Sequence, residues 1–133
     1  MDVRKELRTL GFVRAGEIRP ENAGRSCRAH IEHEVEGFVV FALVAEDRIR
    51  KFGSTGRKQA TLKKRMQGHA SALNGVMIRE RAKDDPFKRL APQVIAARQE
   101  IEVWAKESLA SIFEREAREL NDKHDPEWAD RRR

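Results

Sequence analysis

Residues 38–45, Phe-Val-Val-Phe-Ala-Leu-Val-Ala, are the longest apolar run in the chain. Their β-branched and aromatic content suits a strand, and the run is far short of the roughly 20 residues that span a bilayer. Glu46-Asp47 follows, then Arg48-Ile49-Arg50-Lys51-Phe52. Two strand-forming segments separated by two polar residues predict a tight β-hairpin. Gly53-Ser54-Thr55-Gly56 is expected to end the second strand as a turn. Leu62, Met66 and Leu73 then fall within about 40° of one another on a helical wheel, which predicts a helix packed against the hairpin.

Around this unit the pattern continues. Asp2 ahead of Val3, Leu7 and Leu10, with Gly11 after them, predicts a short capped helix. Gly11, Gly16, Pro20 and Gly24 punctuate the next stretch, which is expected to be extended or looping. Asp84-Asp85-Pro86 offers an N-cap and a proline at the first helical position, and Pro92 is expected to interrupt or restart that helix. Ile101-Glu102-Val103-Trp104 alternates and reads as a third strand. Ser108 is expected to cap a last helix carrying Leu109, Ile112, Phe113 and Leu120 on one stripe. At 133 residues the chain has enough material for a single core. The expected architecture is α+β: a small three-stranded antiparallel sheet flanked by helices, preceded over residues 1–36 by the N-terminal helix and an extended segment. The main domain is expected over 37–130, with a basic tail at 131–133.

Charge is unevenly distributed. The net charge is +6 and the pI about 9.9, yet Arg48 to Arg79 holds nine basic residues and no Asp or Glu, whereas Glu100 to Asp130 holds ten acidic residues against four basic ones. A basic block on one face would be a footprint for phosphates; otherwise it is a solvated helix face. The mixed-charge start has no apolar signal core, so the cytoplasm is the default expectation. Cys27 is the only cysteine, which excludes an internal disulfide and a multi-cysteine zinc site. Cys27, His30 and His33 have a spacing that could ligate a metal, with Glu32 and Glu34 nearby but no evident fourth strong ligand; the alternative is a polar surface stretch. Trp104 and Trp128 are either core residues or base-stacking platforms.

Two polar groups fall where an apolar side chain is expected. Glu116 lies seven residues after Leu109 and four before Leu120, inside the stripe of the last helix, so its carboxylate needs a cation or a metal. Arg65 and His69, one turn apart, flank the stripe of the earlier helix, while Lys63 and Lys64 point outward. Arg65 and Glu116 could meet at one rim of the sheet, either as a functional pair or as a plain ion pair joining two helices.

The ordered segments resemble the GIY-YIG nuclease family. Val39 to Val44 resembles its first motif strand, with Phe41 at the motif tyrosine. Lys51-Phe52-Gly53-Ser54-Thr55-Gly56 resembles the second, with Lys51 at its tyrosine. Thr61 to His69 resembles the motif helix that carries the family's arginine, here Arg65. Glu116 resembles the metal-binding glutamate, and Asp125-Pro126-Glu127-Trp128-Ala129 the closing motif, with Ala129 where asparagine is usual. The similarity spans residues 37–129, and the chain contains no tyrosine.

This resemblance implies a metal-dependent endonuclease hydrolysing DNA phosphodiester bonds. It implies Mg²⁺ or Mn²⁺ on Glu116, and Arg65 donating to the scissile phosphate. Lys51, His69 and Phe41 complete the implied site, and Arg57, Lys58, Lys63 and Lys64 would steer the nucleic acid. Phe41 cannot accept a proton. Lys51 could act as a base only if kept neutral, and otherwise binds phosphate; His69 has the titration range of a base. The alternatives are a catalytically inactive module that binds nucleic acid or a protein, and a basic domain unrelated to phosphodiesters. A dimer or a protein partner would supply sequence readout that so small a chain lacks.

Overall fold

The computed structural model describes residues 2–56, 61–79 and 85–129. Its elements are α1 (Val3–Thr9), β1 (Val13–Glu21), a 3-10 turn (Asn22–Gly24), β2 (Ser26–Ile31), β3 (Val39–Ala45), β4 (Arg48–Thr55), α2 (Leu62–Arg79), α3 (Pro86–Ala96), β5 (Ile101–Glu107) and α4 (Phe113–His124). The architecture is α+β. The strands form one sheet in the order β2-β1-β5-β3-β4, antiparallel at every pairing. It has five strands where the sequence predicted three, because the punctuated stretch after Gly11 forms the hairpin β1–β2. Gly16 is essential to that pairing: a Cβ there would lie 2.0 Å from the His30 carbonyl oxygen. A residue that reads as a breaker instead permits the close approach of two backbones.

The hairpin β3–β4 turns at Glu46 and Asp47, with φ of 52° and 61°. Two left-handed central residues make the turn whose twist matches paired strands. Gly53 is not a turn residue: β4 runs on to Thr55, and a Cβ on Gly53 would sit 2.3 Å from the Phe41 ring. The glycine makes room for that ring across the pair Phe41↔Gly53.

Each face of the sheet is covered. Phe41, Leu43, Ile18, Val103 and Ala105 pack under Leu62, Met66 and Leu73 of α2 and Phe87, Ala91 and Ile95 of α3. Val40, Ala42, Val44, Phe52 and Trp104 pack under Leu7 of α1 and Ala117 of α4. This is why β3 is buried along its whole length. Burying a large apolar side chain contributes roughly 1.5–3 kcal/mol, so these two layers dominate the stabilisation. Trp104 and Trp128 both belong to the core.

The caps of α1 and α3 follow the sequence: Asp2 accepts from the Arg4 amide and Asp85 from the Phe87 amide. Two expectations are corrected. α3 runs through Pro92 to Ala96, because its buried stripe outweighs one missing amide. α4 starts at Phe113 without a side-chain cap, leaving Leu109 outside it and exposed, while the Ser108 hydroxyl turns to Glu116. Among the described residues no helix is long and apolar enough to cross a membrane.

Candidate active site

β3 is antiparallel to both β4 and β5, so those two strands finish at the end of the sheet where β3 begins. β2 runs the same way as β5 and finishes there too. Several contacts tie other elements to this end. The Ser108 amide donates to the Phe38 carbonyl at 2.6 Å, and the Phe38 and Phe113 rings lie 5.0 Å apart, which brings in the start of α4. The Lys63 amide donates to Glu34 at 3.2 Å, which ties the start of α2 to the chain leading into β3. The opening turns of α2 and α4 therefore flank one end of the sheet from opposite faces.

The opening turn of α2 presents Lys63, Lys64 and Arg65 to solvent. Thr61 Oγ1 accepts from the Lys64 amide at 3.1 Å, fixing the turn's start. Three adjacent cations at a helix N-terminus, where backbone amides point outward, suit an anion such as phosphate. Arg57 and Lys58 lie outside the described residues. Arg50 belongs to the same basic block in sequence but is buried and committed: it donates to the Ala45 carbonyl at 3.1 Å and to Glu127 at 2.9 Å, and stacks 5.4 Å from the Trp128 ring centroid.

One turn along α2, His69 lies between Phe41 at 5.8 Å and Phe87 at 5.0 Å, centroid to centroid. The Lys51 ammonium lies over the same Phe87 ring at 5.5 Å. Burial, and then the positive charges of Lys51 and Arg65, push His69 down to about 4. Its Nε2 is sealed from solvent with no hydrogen-bond partner. His69 is therefore neutral at pH 7, and a nitrogen closed to water fits a wedge better than a base that must touch the attacking water. Phe41, with its ring over Gly53, is core.

Glu116 sits in the opening turn of α4 with its side chain 26% exposed. Its cation is Lys106, the last inward residue of β5, while Ser108 donates to its Oε1 at 2.7 Å. Arg65, expected from the sequence as that partner, is exposed and has no carboxylate partner among the described residues. Burial alone would raise the Glu116 carboxyl, but the hydrogen bonds from Lys106 and Ser108 outweigh it and hold the group below its usual range. Sequence reasoning missed Lys106 and Ser108. The signal was the alternation of β5, which puts Lys106 on the Trp104 face and hence beneath α4.

An ionised, partly exposed carboxylate fits a hard divalent cation of the Mg²⁺ kind, which takes one or two protein carboxylates and completes its shell with water and phosphate oxygens. Lys106 would have to yield Oε2 to it. The sequence's other metal suggestion separates: Cys27 points to the Ala70 carbonyl beneath α2, and burial, helped by Glu21, raises its thiol to about 11. His30 faces the opposite side of β2, since its neighbours Ala29 and Ile31 pack with the α2 layer.

No family model and no curated protein sequence matches the chain. Among solved structures it is similar to EndoII of bacteriophage T4, with a TM-score of 0.71 and 16% identity over 96% of this chain and 98% of that one. It is also similar to the restriction endonuclease HPY188I in complex with product DNA, with a TM-score of 0.56 and 12% identity over 96% of this chain and 83% of that one. The five-stranded sheet with its flanking helices is thus a fold this chain shares with two endonucleases.

Proposed function

We propose that the protein is a divalent-metal-dependent endonuclease that hydrolyses DNA phosphodiester bonds in the GIY-YIG manner. What supports the proposal is the fold shared with two endonucleases, together with a solvent-facing basic turn (Lys63, Lys64, Arg65) and an ionised carboxylate (Glu116) carried by helices that flank one end of that sheet from opposite faces. In this reading Arg65 and Lys51 hold the scissile phosphate and take up the charge that develops on its oxygens, while Lys63 and Lys64 bind flanking phosphates. Glu116 would hold the metal, which when bound supplies Lewis acidity toward the phosphate and acidifies water. Ser108 and Lys106 orient the Glu116 carboxylate. His69 and Phe41 act as positioning residues: the imidazole, wedged between two phenylalanines, fixes the helix face from which Arg65 projects.

The test is cleavage of plasmid and duplex oligonucleotides in Mg²⁺ or Mn²⁺. Wild-type protein should cut only with metal, and Glu116→Gln should not cut. Arg65→Ala should lose on the order of 10²–10³ in rate, the typical cost of deleting one preorganised donor to a developing oxyanion. A second reading has a specific observation behind it: Lys106 already neutralises Glu116 and both motif tyrosines are replaced, as in a binding module without turnover. Salt-sensitive DNA binding without metal-dependent cutting is the result that would select it.

A further inference from the structure

On the outer pair of strands, β1 and β2, three groups that the proposed reaction does not use come together. Glu17 and His30 are register partners across the hairpin, and Glu32, just past the end of β2, lies beside His30. One ligand atom from each lies within 4.8 Å of the others, and His30 Nε2 is 3.1 Å from Glu32 Oε1. His30 and Glu32 are exposed, but Glu17 is only 7% exposed. A buried carboxylate ordinarily collects hydrogen bonds, yet Glu17 Oε2 has none. Two guanidiniums pair with its charge without hydrogen-bonding that oxygen. Arg14 is 3.5 Å from Glu17 Oε1, and Arg19 is 3.4 Å from Oε2 and 3.9 Å from Glu32.

We infer that Glu17, His30 and Glu32 form a binding site for one divalent transition-metal ion, with Zn²⁺ the best fit. An imidazole with two carboxylates is a ligand set for zinc, with a fourth position open to water, whereas Mg²⁺ selects oxygen ligands alone. Bonds of about 2.0–2.2 Å in a tetrahedral shell place ligand atoms roughly 3.4 Å apart, so no pair of the triad has to close by more than about 1.4 Å. The two exposed side chains supply that movement. The ion would satisfy the buried Glu17 oxygen. It would displace Arg19, a half-exposed side chain that returns to water at little cost. Arg14 keeps its 3.0 Å contact with Glu100 and stays beside Oε1.

The site stands apart from the nuclease reading, and its test does not require activity. Zn²⁺ binding is measured by calorimetry at neutral pH on the whole chain, with thermal unfolding as a second readout. The wild type should take up one Zn²⁺ and melt higher with it. His30→Ala and Glu32→Ala, both at exposed positions, should each weaken binding at least tenfold and abolish the rise in melting temperature. His33→Ala, at an exposed neighbouring histidine, should bind as the wild type does. Absence of Zn²⁺ uptake, or equal affinity in wild type and His30→Ala, overturns the inference; uptake lost in Glu116→Gln but kept in His30→Ala assigns the ion to the other site and overturns it as well.

Discussion

His69 is a titratable group held neutral by its surroundings, and that has a measurable consequence. Its imidazole is lowered from 6.5 to about 4. The unfolded chain therefore takes up a proton as pH falls through 6.5, while the folded protein does not until near 4. Stability from this residue is fully present above 6.5 and is lost between 6.5 and 4. The loss reaches up to about 3 kcal/mol, each tenfold change in proton affinity being worth roughly 1.4 kcal/mol. Urea unfolding at pH 7 and pH 4.5 should show a larger loss in the wild type than in His69→Leu, and equal losses would refute the assignment. The position of this residue was legible in the sequence, one turn after Arg65 and flanking an apolar stripe. Its environment was not, because Phe41, Phe87 and Lys51 reach it from three other elements. Glu116 shows the same division. Helical spacing exposed its anomalous place on an apolar stripe, but its cation comes from β5, and the alternation that puts Lys106 on the Trp104 face points to Glu116 only once that face is known to lie beneath α4.

Both edges of the sheet are closed by the same device. Asn121 of α4 accepts from the Phe52 amide through Oδ1 and donates to the Phe52 carbonyl through Nδ2, both at 2.9 Å, on the outer side of β4. Asn74 of α2 does the same for Cys27 of β2, at 2.8 and 3.0 Å. An amide side chain thus mimics the next strand for one residue, which blunts an edge that would otherwise pair with another chain. Asn74→Ala and Asn121→Ala should each cost roughly 1–3 kcal/mol, since each leaves a backbone donor and acceptor unpaired. Lying on opposite edges, the two losses should add in chemical denaturation; a cost below about 0.5 kcal/mol in either variant would mean that water replaces the asparagine. At this scale the sequence revealed β3, β4 and β5 through apolar content and alternation. It concealed β1 and β2, whose Gly16 and Pro20 carry the signature of a loop.

Across the whole molecule, the charge asymmetry seen along the chain becomes a spatial one only in part. Arg48 and Arg50 bind Glu127 and hold the C-terminal turn against β4, and the buried Arg50 is thereby withdrawn from any phosphate track. The exposed cations of α2 remain. If they bind DNA, replacing Lys63 and Lys64 together with alanine should weaken binding across all sequences. It should also reduce the slope of log affinity against log salt by roughly 2, about 0.9 for each phosphate that is no longer neutralised. An unchanged slope would place the nucleic acid elsewhere. The most direct test of the proposed chemistry is the single-turnover cleavage rate of a duplex oligonucleotide with and without Mg²⁺, for wild type and Glu116→Gln under conditions where both bind DNA. Metal-dependent strand scission by the wild type, with none above background by the variant, is the expected result. Saturating binding by the wild type with no scission in Mg²⁺ or Mn²⁺, or equal scission by both proteins, would contradict it.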